Sequence, residues 1–342
     1  MVPSSSTSSS KRRWPVAAAI CVALCAAVTL ACWAGIRAGV DDEVPVLLYV
    51  GDTFTGNYRF DPGERLEDIT APPGDWQVHN FAWPGARTLD ILLQVQKAET
   101  LLGRVDRVVL PLFVNKFIVG EPYIRLDKRG DNLKWLHLDS GALPVAETFD
   151  DELQRKLLIH KLGLLVGFYD LLEYLFVQHQ QWPGQRQRMR KDPPDRRAKI
   201  NAKNQRRARI WDERNITPQE VTTSGAARDL NLLVDYLKRR GIPLLILWLP
   251  PGNMDVVKEN FSPRAQQNIQ AARAIAMEWS AAHGVDHVDL FHALPGAYYD
   301  DFTHLNDVRG NRIIAEAAAQ WVDPQKTVDL APAYGATYVA RP

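Results

Sequence analysis

The chain has 342 residues, with 41 Lys and Arg against 40 Asp and Glu and a formal net charge of +1 at pH 7. Such a balance excludes a polyanion binder acting through its whole surface, while a 46% hydrophobic content is ample for one large core or two small ones. All three cysteines (Cys21, Cys25, Cys32) fall near the N-terminus, so the rest of the chain has no disulfide framework, thiol nucleophile or thiolate zinc site.

The first elements concern location. A polar stretch, Ser4 to Ser10, leads into Lys11-Arg12-Arg13, and Trp14 to Ile36 then runs without a charge. Twenty or so apolar residues cross the roughly 30 Å hydrocarbon layer as a helix. The basic cluster precedes this run and Asp41-Asp42-Glu43 follows it. That asymmetry predicts a cytoplasmic tail at 1–13, a single-pass anchor at 14–36 and an extracytoplasmic remainder. A cleaved signal peptide is the alternative, but the apolar run is longer than a usual signal core.

Beyond the anchor, short continuous apolar runs alternate with amphipathic segments. Val46–Val50 reads as a short, fully buried strand, Arg107–Phe113 as another continuous apolar strand, and Trp76–Asn80, Pro243–Leu249 and Val285–Leu290 as further strands. Thr88–Leu102, Ala265–His283 and Ile313–Val322 read as helices, Asn231–Arg240 as the end of an amphipathic helix that stops at Gly241, and the last 20 or so residues as an irregular tail. This alternation predicts an α/β fold with a central parallel five-stranded sheet covered on both faces.

One interval, at about 119–225, breaks the rhythm as an insertion in a domain spanning 41–322, with 323–342 as the tail. Leu153–Phe176 is apolar but interrupted by Lys156, His160, Lys161, Asp170 and Glu173, which favours a buried or interfacial helix over a second membrane span. Gln185–Arg209 is dense in Arg and Lys. Two readings stay open here: a lid apposed to anionic headgroups, or a solvated insertion beside a helix packed on the core. Nucleic acid is excluded by the topology and by the lack of interleaved stacking aromatics. His283, His287 and His292 lie near one another without an accompanying acidic pattern, so no metal and no cofactor is expected.

Four separated peptides carry the chemistry. Leu47-Leu48-Tyr49-Val50 ends in Gly51-Asp52-Thr53-Phe54; Asn80 to Thr88 contains Gly85; Leu110 to Lys116 ends in Asn115-Lys116; and Asp301-Phe302-Thr303-His304 precedes the last helix. Together they resemble the four blocks of the SGNH/GDSL hydrolase superfamily, over about residues 44–322 apart from the insertion. The resemblance implies a flavodoxin-like three-layer α/β/α fold and a Thr53–His304–Asp301 triad. It also implies an oxyanion hole formed by the N–H groups of Thr53 and Gly85 and the side-chain amide of Asn115. The physical reasons are general: a hydroxyl attacks only when a base takes its proton, and a tetrahedral intermediate needs donors where charge develops.

This chain departs from the family in three places. Threonine stands where the family has its nucleophilic serine, and its β-branch restricts χ1 and crowds the attacking oxygen. Ala82 replaces a common glycine, and Lys116 replaces an aspartate. Asp52 and Lys116 are therefore candidate substrate-binding residues, with a turn and a surface lysine as their plainer roles; Asp301 and His304 have helix capping as theirs. The reading that follows is an esterase or O-acyltransferase, acting on an acyl ester of a cell-envelope glycan or polymer, with a multi-spanning membrane acyltransferase as a candidate partner. An inactive scaffold subunit of an envelope polysaccharide assembly is the alternative.

Overall fold

The computed structural model describes residues 37–118 and 207–323, with gaps at 53–54, 56–63, 71–75, 84, 215, 300–301 and 306. It also describes isolated positions between 23 and 35, residue 205 and the backbone of 337–339. Five parallel strands form the sheet: β1 (Val46–Tyr49), β2 (Gln77–Asn80), β3 (Arg107–Phe113), β4 (Leu244–Leu249) and β5 (Asp286–Asp289). Their spatial order is β2-β1-β3-β4-β5. That is the doubly wound order of flavodoxin-like sheets.

Both faces are covered, which explains the nearly unbroken apolar runs of β1, β3 and β4. Val46 and Leu48 of β1, Val108 and Leu110 of β3, and Ile246 and Trp248 of β4 enter one core. There they meet α2 (Thr88–Leu102), α3 (Val114–Ile118), α5 (Gly225–Arg239) and α7 (Pro263–Ala282). Leu47, Tyr49, Val109, Leu245 and Leu247 point the other way, against α1 (Leu66–Thr70) and α8 (Val308–Val322). The result is a three-layer α/β/α arrangement with period-two side-chain alternation.

Local chemistry sets the boundaries. Ser224 and Ser262 cap α5 and α7 by accepting from Ala227 N–H and Ala265 N–H, as short hydroxyl residues do at helix starts. α7 therefore begins at Pro263, before the Ala265 that the apolar pattern indicates. α4 (Pro218–Thr222) and α6 (Met254–Asn260) are short helices capped by Thr217 and Asn253. Asp307 caps α8 by accepting from Arg309 N–H. The cap of the last helix is thus Asp307, not Asp301 or His304.

Two expectations need correction. The tail is not irregular throughout: β6 (Thr337–Val339) pairs antiparallel with β5 at the sheet edge. The insertion ends earlier than residue 225, because Ala208, Trp211 and Val221 lie in the core. Asn268 Nδ2 donates to the carbonyls of Trp211 (2.6 Å) and Arg214 (3.0 Å), fixing that stretch on α7. Among the described residues no helix is long and apolar enough to cross a membrane. Most of 14–36 lies outside the described residues, as do 119–204, which include the apolar helix expected at 153–176 and nearly all of the basic stretch.

Candidate functional site

Ligands of open α/β sheets bind beyond the carboxyl ends of the strands, where neighbouring connections run off in opposite directions. In this order that point lies between β1 and β3. A cleft sits there, lined by Gly51, Asp52, Ala86, Arg87, Thr88 and Lys116, over an apolar floor of Ile91 and 111–113. Three of the four peptides singled out in the sequence thus meet at one place.

Gly51, separated from the end of β1 by Val50, adopts φ +145°, and a Cβ there would lie 2.5 Å from Thr55 Oγ1. Glycine is required on both counts. Gln94, fully buried on α2, binds both polar groups of Gly51: it accepts from the N–H and donates to the carbonyl, each at 2.7 Å. Asn80 holds the same turn from the other side, donating to Thr55 O at 2.7 Å and to Glu67 at 3.0 Å, while its Oδ1 accepts from Ala82 N–H. Gln94 and Asn80 are positioning residues that sequence reasoning misses. The available signal for Gln94 is a polar residue among Leu89, Leu92, Leu93 and Val95, a position where only a hydrogen-bonded amide is tolerated.

Lys116 ties the peptides together. Its Nζ lies 3.2 Å from Asp52 Oδ2 and donates to Ala86 O at 3.0 Å. α3, which carries Asn115 and Lys116, is anchored by buried Phe117 against Trp248 (5.4 Å) and Trp279 (5.3 Å). Trp248 Nε1 in turn donates to Ser280 Oγ at 2.8 Å, so the aromatic cluster buries no unsatisfied indole at that position. Asp52 and Lys116 therefore form a partly buried ion pair rather than a turn residue and an independent surface lysine.

Of the expected oxyanion donors, Gly85 is exposed with φ +68°. Asn115 carries its Oδ1 buried with no hydrogen-bond partner among the described residues. A buried amide oxygen left without a partner costs about 1–3 kcal/mol, and such groups often mark function rather than fold. Thr53 and Asp301 lie outside the described residues. His304 is half-buried in the loop before α8, at the same edge of the sheet. This loop is held by Asn253 N–H donating to Phe302 O at 2.7 Å, and Gly252 is packed so closely that a Cβ would lie 2.3 Å from that oxygen.

A buried acid lies behind the cleft. Thr88 donates to Asp229 Oδ2 at 3.2 Å, joining the start of α2 to α5. Burial pushes the Asp229 carboxyl up to about 7, against the opposing pull of the Arg228 guanidinium and the Thr88 hydroxyl. The three histidines near β5 have separate duties. His283 stacks on Trp279, His287 is buried with Nδ1 by Val285 O, and His292 sits by Arg273, its pKa lowered chiefly by burial.

No protein-family model and no curated protein matches this chain. Among solved structures it is similar to an extracellular lipase from Streptomyces rimosus, at 9% identity and a TM-score of 0.33, over 76% of this chain and 85% of that one. A superposition this loose carries no argument about either fold or chemistry.

Proposed function

We propose that the chain is an extracytoplasmic, membrane-anchored SGNH-like esterase or O-acyltransferase acting on acyl esters of a cell-envelope glycan or polymer. The observation that carries this reading is the meeting of the Gly51-Asp52, Ala86-Arg87 and Lys116 peptides in one cleft at the switch point of the sheet. In the mechanism, His304 takes the proton of the Thr53 hydroxyl as its oxygen attacks the acyl carbonyl. The N–H groups of Thr53 and Gly85 and the Asn115 amide hold the resulting oxyanion. Collapse breaks the ester bond, and the leaving alcohol takes the proton from His304. Water or a sugar hydroxyl then attacks the acyl-threonine, giving up its proton to His304, and as that intermediate collapses His304 passes the proton to the departing Thr53 oxygen, restoring both groups. Asp301 orients the imidazole.

The same cleft supports a second reading as a binding subunit without catalysis, favoured by the β-branched Thr53 and by the pairing of Lys116 with Asp52. Acetyl-ester hydrolysis separates the two. Catalysis requires activity in the native chain that is lost in Thr53→Ala. The binding reading requires no difference between native and Thr53→Ala, with activity emerging only in Thr53→Ser.

A further inference from the structure

The N-terminal helix and the cleft belong to opposite poles of the domain. Positions 23, 24, 27, 30, 31, 34, 35, 37 and 38 are helical and exposed, including Leu24 at 60% and Leu30 at 65%. Leucines held off the domain need another apolar phase, and the charge-free run 14–36, expected as an anchor, matches a bilayer.

There is no slack between this helix and the sheet. Val40 is buried in the core, and the Arg37 guanidinium packs on Gly103 at the C-terminus of α2, where a Cβ would lie 2.5 Å from its Nη2. A cation is favoured at that helix end. Asp41 O accepts from Gln77 Nε2 (2.9 Å), and Asp42 O accepts from Arg104 Nη1 (2.5 Å). Val46 N–H donates to Asp106 Oδ2 at 2.7 Å. These partners all stand at or beside the amino ends of the parallel strands, whereas the cleft stands at the carboxyl ends.

From this we infer that the domain sits base-down on the membrane with its cleft facing away from it. The inference rests on the proposed anchor and narrows the substrate of the proposed reaction. The seven residues of β3 alone raise the cleft by roughly 23 Å at about 3.3 Å each. Ester carbonyls of glycerolipids, which lie in the headgroup region below the base, are out of reach. The acyl groups handled are those carried on chains that extend into the extracytoplasmic space.

The test uses the full chain with Cys21, Cys25 and Cys32 replaced by alanine. One fluorescent label is placed at Arg239→Cys, beside the base, or at Lys258→Cys, on α6 at the cleft pole. Each protein is reconstituted into phosphatidylcholine vesicles carrying a headgroup-linked acceptor, and energy transfer is read. The expected result is transfer several-fold weaker from position 258 than from 239. Equal or stronger transfer from 258 overturns the orientation while leaving the anchor intact. Failure of the chain to float with the vesicles overturns the anchor and the orientation together. Absence of acyl-ester chemistry with the expected transfer ordering sinks the enzymatic reading alone and leaves the orientation standing.

Discussion

Asn115 is the residue whose structural and chemical roles separate most cleanly. Its Oδ1 is buried and takes no hydrogen bond from the described residues, yet the residue sits on a helix pinned by Phe117. Asn115→Ala is expected to leave urea stability within about 1 kcal/mol, since removing an unsatisfied polar group offsets the lost contacts. The same change is expected to lower kcat by roughly 100- to 1000-fold on an acetyl ester, the usual loss for one oxyanion donor. A large loss of stability with unchanged kcat would place Asn115 in the fold instead. Gln94 shows the converse: both of its amide ends are spent on Gly51, so it acts only by holding the turn that leads to Thr53.

At the scale of elements, β1, β3 and β4 are legible in the sequence because strands buried on both faces leave nearly unbroken apolar runs, whereas β2 and β5 are largely polar. The helices are legible in their interiors and blurred at their starts, where Ser224, Ser262 and Asp307 act through single hydrogen bonds that no periodicity registers. Composition misplaces the end of the insertion, since the basic run continues into a helix that buries Trp211. Trp211→Ala is expected to destabilise the domain by about 3–5 kcal/mol in urea unfolding, the cost of emptying a core aromatic site. A change below about 1 kcal/mol, the range of ordinary surface substitutions, would return residues 207–213 to the insertion.

The α2–α5 contact makes a second demand that is visible only in three dimensions. Asp229 titrates near 7 when folded and near 3.9 when unfolded. Between about pH 4 and 7 the unfolded chain gives up this proton and the folded chain keeps it, so stability falls as pH rises through that window. Asp229→Asn is expected to match the wild type near pH 4 and to exceed it by up to roughly 4 kcal/mol at pH 8, the gap opening by about 1.4 kcal/mol for each pH unit crossed in the window. Parallel pH profiles for the two proteins would contradict the buried-acid account.

For the whole molecule, the sheet order does the assembling. Residues 51, 86 and 116 are far apart in sequence and meet because β1 and β3 are neighbours with connections diverging from their carboxyl ends. The order of four motifs could announce this cleft. It could not announce the Lys116–Asp52 pair, the Gln94 clamp or the polarity of the domain relative to its N-terminal helix, which depend on register and packing. The most direct measurement is fluorophosphonate labelling of the full chain, with the adduct located by mass spectrometry. The account requires a covalent adduct on the Thr53 oxygen that disappears in Thr53→Ala and is strongly slowed in His304→Ala. An adduct elsewhere, or a labelling rate indifferent to His304, would contradict it.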